Sequence, residues 1–242
     1  MKCRALAVML ALALNACGDA SDAPEPAVTP SAAAGPQAIR CFVVDTSDLP
    51  APSYEHTILA FGDSLFAGYG LCPDQGYPEQ LQLALQQRGI DAQVIDAGVS
   101  GDTSAAGLQR IGFVLDGLDS PPDLAIVELG GNDLLRAIAP AETRDNLAAI
   151  LEELRERRIP VLLMGMRAPP NMGEAFVRDF DGLYPDLAER YDAALVPFFL
   201  APVWDQPALI QPDRVHPTAD GIEAMVAATT DDVARALPDA DD

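Results

Sequence analysis

Positive charge is scarce in this chain. Fifteen Lys and Arg stand against 37 Asp and Glu, a formal net charge of −22 over 242 residues. Such a surface repels phosphates and excludes DNA and RNA as expected partners; beyond that it serves solubility. Histidine is scarcer still, only His56 and His216, so any imidazole chemistry has two candidates. Aromatic residues make up 6% of the chain, with one tryptophan, Trp204, which leaves little for stacking on sugars. The apolar run Ala5–Ala13 is too short to span a bilayer. There is no internal repeat, and the four cysteines have no metal-site spacing.

What is present at the N-terminus reads as export rather than fold. A basic start, Met1-Lys2-Cys3-Arg4, precedes Ala5–Ala13 and then Leu14-Asn15-Ala16-Cys17. Residues 1–17 therefore read as a signal peptide with a lipobox-like end, in which Cys17 would carry the lipid; cleavage near Ala16 without lipidation is the alternative. Residues 18–50 are rich in Ala, Pro and acid, have nothing to bury, and read as a flexible tether. The expected location is periplasmic or outer-membrane-associated, with the membrane touched only through Cys17. Cys41 and Cys72 remain in an oxidising compartment, where they either pair or stay as two free thiols.

Residues 51–242 read as one folded domain. Strand-like runs occur at Ile58–Phe61, Val94–Ala97, Leu124–Leu129, Val161–Met166 and Leu195–Phe199. Helical patterns lie between them: Pro78 as a first-turn proline ahead of Glu79–Arg88, the i, i+3, i+4, i+7 set Leu147, Ile150, Leu151 and Leu154, and a last helix over about Thr218–Leu237. Alternation of this kind predicts an α/β fold, three layers with a mostly parallel five-stranded sheet between helices. Ligands then bind outside the carboxyl ends of the strands. Four polar segments fall there: Gly62-Asp63-Ser64, "DAGVSGDTS" (96–104), "GGNDLLR" (130–136) and "PDRVHP" (212–217).

A serine hydroxyl attacks a carbonyl only if a base takes its proton. His216 has Asp213 three residues back, close enough to fix its tautomer and steady its charge. His56 has only Glu55 beside it, and adjacent side chains diverge. The developing oxyanion needs donors, and the N–H of Ser64, the N–H of Gly101 and the side-chain amide of Asn132 are the candidates. Singly, each has an ordinary explanation as a turn or cap residue.

Taken in order, "FGDSLFAGYG", "GVSGDTSAAGLQRI", "VELGGNDLLR" and "DRVHP" resemble the blocks of the SGNH hydrolases, the GDSL esterases and lipases. The similarity runs over roughly residues 57–235 and is nearest to the thioesterase I, lysophospholipase and arylesterase branch. It implies a flavodoxin-like fold, Ser64 as nucleophile with Asp213 and His216 completing the triad, and Ser64, Gly101 and Asn132 as the oxyanion hole. It also implies no metal, no cofactor, and a small-molecule or lipid ester or thioester as substrate. Asp63 is expected to hold the turn rather than react. The segment Leu71–Leu81, expected to line the acyl side, looks inserted, so acyl preference does not carry over. The rival readings are an acetyl-carbohydrate esterase of the same superfamily and a non-catalytic, surface-binding lipoprotein.

Overall fold

The computed structural model describes Cys41 and residues 53–238. Residues 1–17 with Cys17, and the 18–50 tether apart from Cys41, lie outside the described residues. Five strands form one sheet: β1 (His56–Gly62), β2 (Ala92–Gly98), β3 (Leu124–Glu128), β4 (Val161–Met164) and β5 (Ala194–Val196). Their order is β2-β1-β3-β4-β5 and every pairing is parallel. Ile58–Phe61 and Leu124–Val127 are wholly buried, as expected of central strands covered on both faces.

The helices are α1 (Tyr77–Gln87), α2 (Ser104–Asp116), α3 (Gly131–Leu135), α4 (Pro140–Glu156), α5 (Glu174–Asp181), α6 (Leu183–Tyr191) and α7 (Ala219–Ala236). Packing of α1 on α7, and of α2 and α6 on α4, forms the two outer layers. Local chemistry starts several of them. α1 carries its proline in the first turn. Thr103 caps α2 by accepting from Ala106 N–H, and Thr218 caps α7 by accepting from Gly221 N–H. The buried stripe of α4 is Leu147, Ile150, Leu151 and Leu154, together with Thr143.

Two strands are shorter than their apolar runs suggest. β4 stops at Met164 and β5 at Val196. Pro197 has no N–H to continue the ladder, and the next paired donor, Phe199 N–H, turns back to Gly165 O at 2.9 Å. The residues beyond the strands, Phe199 and Met166, are spent on packing around the rim.

The strand order reverses at β1, so the crevice outside the carboxyl ends of β1 and β3 is the switch point where such sheets bind ligands. Gly62 closes β1 opposite Gly98 on one side and Glu128 on the other. Ser64 follows the end of β1. His56 begins the same strand, about 20 Å away at the rise of an extended chain.

Cys41 and Cys72 are disulfide-bonded, with Cα atoms 5.4 Å apart. The closed loop spans a separation of 31 residues, for which chain entropy gives about 3–4 kcal/mol of stabilisation. In unreduced, denatured protein, peptides carrying Cys41 and Cys72 should therefore travel as one species and separate on reduction. Cys41→Ser/Cys72→Ser should unfold at lower urea by a corresponding amount.

Candidate active site

The site begins with backbone geometry. Gly62 lies so close to β3 that a Cβ there would sit 2.8 Å from both the Glu128 carbonyl oxygen and its Oε2. Only glycine lets the Glu128 carboxyl cross the strand end, and the chain then turns out through Asp63 and Ser64. Asp63 fastens that turn. Its Oδ1 accepts from Leu65 N–H at 3.0 Å, as an acid holding a turn does.

Ser64, His216 and Asp213 are in line. Ser64 Oγ lies 2.8 Å from His216 Nε2, and His216 Nδ1 lies 2.7 Å from Asp213 Oδ2. Asp213 also accepts from the backbone N–H of Val215 and His216, at 2.9 and 3.0 Å. Some burial pushes its carboxyl up, but the His216 ring and these N–H groups together hold it below the usual carboxylate range. Arg214, within this tight loop, has φ +63°. Tyr69 leans on the imidazole with ring centroids 4.3 Å apart, and its carbonyl takes a hydrogen bond from Gln211. His56 is remote from all of them.

On the other side of Ser64, Asn132 stands at the start of α3, and its Nδ2 donates to Asp63 Oδ2 at 2.9 Å. An amide nitrogen has two hydrogens; holding one on Asp63 leaves the second to point into the crevice. Gly101 (φ +88°) is fixed by its own carbonyl, which accepts from Arg136 at 2.8 Å. Among the described residues, no protein acceptor takes the N–H of Ser64 or of Gly101. All five residues expected of the site are thus on one rim. Ser64, Gly101, Asn132 and His216 line a single cavity of about 730 Å³, whose wall includes Met166, Leu200, Val203, Trp204 and Ile210. Asp213 stands behind His216.

The cavity corrects one expectation. No residue of Leu71–Leu81 lines it. Tyr77 is instead fully buried, its hydroxyl 2.7 Å from Thr229 Oγ1 and its ring stacked on Phe66. An aromatic ring with one polar atom is best buried where that atom finds a partner, and α7 supplies one here.

Three groups that the sequence reading missed hold the crevice together. Asp133 is wholly buried and accepts from Ser104 N–H (2.8 Å), Ser104 Oγ (2.5 Å) and Thr143 Oγ1 (3.1 Å). It clasps the Gly101 loop to the Asn132 helix. Arg110 lies over the Phe61 ring at 4.0 Å and donates to Asp102 and to Gly62 O, tying the same loop to the end of β1. Glu128 is the third; an acid closing a strand otherwise buried on both faces was its signal. Asp133 had the weaker one of adjacency to Asn132, and Arg110 had none. Among the described residues, no three His, Cys, Asp or Glu side chains come together as a metal-ligand set.

The chain resembles known proteins over this same region. Residues 60–224 match the GDSL-like Lipase/Acylhydrolase family. Esterase TesA of Pseudomonas aeruginosa is 42% identical over 161 residues, 66% of this chain and 79% of that protein. Thioesterase 1/protease 1/lysophospholipase L1 of Escherichia coli is 38% identical over 164 residues, 68% and 76%. The crystal structure of AlinE4, described as an SGNH-hydrolase family esterase, superposes with a TM-score of 0.66 at 64% identity, covering 78% of this chain and all of that one.

Replacing Asp133 by Ala would leave two hydroxyls and one backbone N–H without their buried acceptor. It should cost about 3–5 kcal/mol, read from urea unfolding, and should lower turnover in whatever protein remains folded, because the Gly101 loop loses its anchor.

Proposed function

The chain belongs to the GDSL-like lipase/acylhydrolase family, and on that premise we propose that it hydrolyses carboxylic esters or thioesters through an acyl-enzyme on Ser64. The observation that carries this reading is the unbroken line Ser64 Oγ, His216, Asp213, at 2.8 and 2.7 Å, opening on an apolar cavity. A binding protein has no need of such a line.

The chemistry runs as follows. Ser64 Oγ attacks the carbonyl carbon while His216 Nε2 takes its proton. Asp213 stays ionised and steadies the imidazolium. The oxyanion sits between Ser64 N–H, Gly101 N–H and the free N–H of Asn132. The tetrahedral adduct then expels the alcohol or thiol, which takes the proton from His216. Water, activated by the same imidazole, attacks the acyl-enzyme and frees the acid and Ser64. None of these steps asks for a metal or a cofactor.

The substrate class follows from the wall. Met166, Leu200, Val203 and Ile210 suit an acyl chain, in keeping with relatives named esterase, arylesterase and thioesterase. The sugar-acetate reading has two aromatic rings in the cavity, Tyr69 and Trp204, of which Tyr69 is already against His216, and an acetyl group would leave most of the apolar wall uncovered. The proposal includes export. Residues 1–17 would direct the chain to the periplasm and Cys17 would carry the anchor, with the tether setting the domain off the membrane. Cys17→Ser should then shift the protein from the membrane to the soluble fraction.

Two measurements test the chemistry. Ser64→Ala and His216→Ala should each lower kcat by about four to six orders of magnitude, and the double variant should be little worse. Asn132→Ala should lower it about 10²–10³-fold, while His56→Ala leaves it nearly unchanged. Across p-nitrophenyl esters, kcat/KM should rise up to about fourfold per added methylene until the cavity is filled, the equivalent of about 0.8 kcal/mol each. A profile peaking at acetate would favour the sugar esterase, and no turnover by well-folded protein would leave the binding lipoprotein.

A further inference from the structure

Glu128 has no part in the proposed chemistry, yet it is wholly buried directly behind the nucleophile turn. Its Oε2 accepts from Asp63 N–H at 3.2 Å. Its Oε1 is buried with no hydrogen-bond partner among the described residues. Asp63 itself is only 2% exposed. Two acids therefore lie side by side in a buried site. The arginine that reaches this strand end, Arg110, is committed to Asp102 and to the Gly62 carbonyl. An ionised oxygen without a donor is the costliest arrangement available there, and two adjacent buried carboxylates cannot both be charged.

We propose that Glu128 is a positioning residue that works as a neutral acid, keeping Asp63 in place as the acceptor that aims Asn132 at the oxyanion. This rests on the hydrolase reading above. The route is short. Glu128 holds Asp63 through its backbone N–H; the Asp63 carboxylate holds Leu65 N–H with one oxygen and the Asn132 amide with the other. Both links lie on the oxyanion side of Ser64, and neither touches His216 directly.

Electrostatics agrees with the geometry. Burial, and then the charge of Asp63, push Glu128 well above the usual carboxylate range. Asp63 is also raised, chiefly by burial, against the pull of Leu65 N–H, Glu128 and Asn132. The other groups that bear on the pair sharpen this. Tyr184, on α6, is itself pushed up by burial and by Glu128, Asp133 and Asp63, so it stays neutral. Asp133 adds negative charge and His216 lowers Asp63. Because the folded state keeps the Glu128 proton to higher pH than the unfolded chain does, its contribution to stability is complete below the ordinary value of 4.5 and is lost as pH rises toward the raised value.

Glu128→Gln is the informative variant, since a glutamine can accept from Asp63 N–H, can donate, and cannot ionise. It should keep kcat within about threefold of wild type, and its Tm should fall less than that of wild type between pH 5 and 9. Glu128→Ala, checked by circular dichroism, should lower kcat about 10- to 100-fold with KM within twofold. In the Asn132→Ala background the same change should lower kcat no more than about threefold further, because Glu128 acts through that amide. Parallel Tm–pH curves for wild type and Glu128→Gln would overturn the neutral acid. Equal damage from Gln and Ala, or fully multiplicative losses with Asn132→Ala, would overturn the positioning role. Should Glu128→Ala fail to fold, Glu128→Gln and its Tm–pH curve still decide. The Tm–pH comparison needs no substrate, so failure of the hydrolase reading would be seen separately, as absence of ester turnover by wild type.

Discussion

A carboxylate buried at the end of a central strand must be supplied with hydrogen bonds or give up its charge, and the rim of this protein is organised around that constraint. Asp63 sits there because the chain must leave β1 abruptly, and an acid two residues ahead of Leu65 N–H closes the turn. Once there, it needs a second donor, and Asn132 supplies it. The two loops that meet over the sheet are thereby locked to one another by a side-chain pair rather than by backbone. Gly62 belongs to the same arrangement, since any Cβ at that position would strike Glu128. The glycine, the acid and the serine at residues 62–64 therefore have three different physical jobs: to admit a neighbour, to hold a turn, and to present a hydroxyl.

The Gly101 loop is secured in the same manner by a buried acid and a half-buried arginine. Asp133 reaches it from α3, and Arg110 reaches it from α2 while also binding the end of β1. Hydrogen bonds to charged groups are worth roughly twice those between neutral ones, and where the group is buried, as at Asp133, their loss leaves it without a partner. The oxyanion donors proposed above are thus held by side chains fixed from two helices, the preorganisation that electrostatic stabilisation of a transition state requires. The Tyr69 side is held differently, by aromatic contact with His216 and by Gln211, which donates to the carbonyls of both Tyr69 and Pro217. Cys72, three residues further on, is covalently fixed to Cys41.

Much of the fold was legible because its signals are local. Continuous apolar runs mark strands buried on both faces, Pro78 and Thr218 mark helix starts, and the alternation of elements predicts a parallel sheet. The candidate site residues were legible because Ser64 and Asn132 follow strands, the Asp213–His216 pair precedes the last helix, and their order resembles a known family. The missed parts depend on contacts distant in sequence. Glu128 lies inside an otherwise apolar run, and nothing nearby in the sequence announces that Gly62 makes room for its carboxyl. Tyr77 was expected near the acyl side and is in the core, because Thr229, which satisfies its hydroxyl, comes from the far end of the chain. The apolar runs at 161–166 and 195–199 outlast their strands, since hydropathy continues past the point where Pro197 interrupts the ladder.

The acids flanking Ser64 are pushed in opposite directions, a pattern that separates roles in catalytic sites. Asp213, partly exposed and fed by His216 and two backbone N–H groups, is held below the usual range and keeps its charge. Glu128, wholly enclosed and facing another acid, is pushed well above it by burial and then by the charge of Asp63, the direction that a neutral acid requires. The signs suit the work on each side. In the proposed mechanism, a negative charge behind the imidazole favours the imidazolium that accompanies attack by Ser64. A second negative charge behind the proposed oxyanion donors would oppose the oxyanion that this mechanism develops. Within one rim, then, solvent access and donor supply decide which carboxyl is an ion, and the direction in which charge develops during acyl transfer makes that division the useful one.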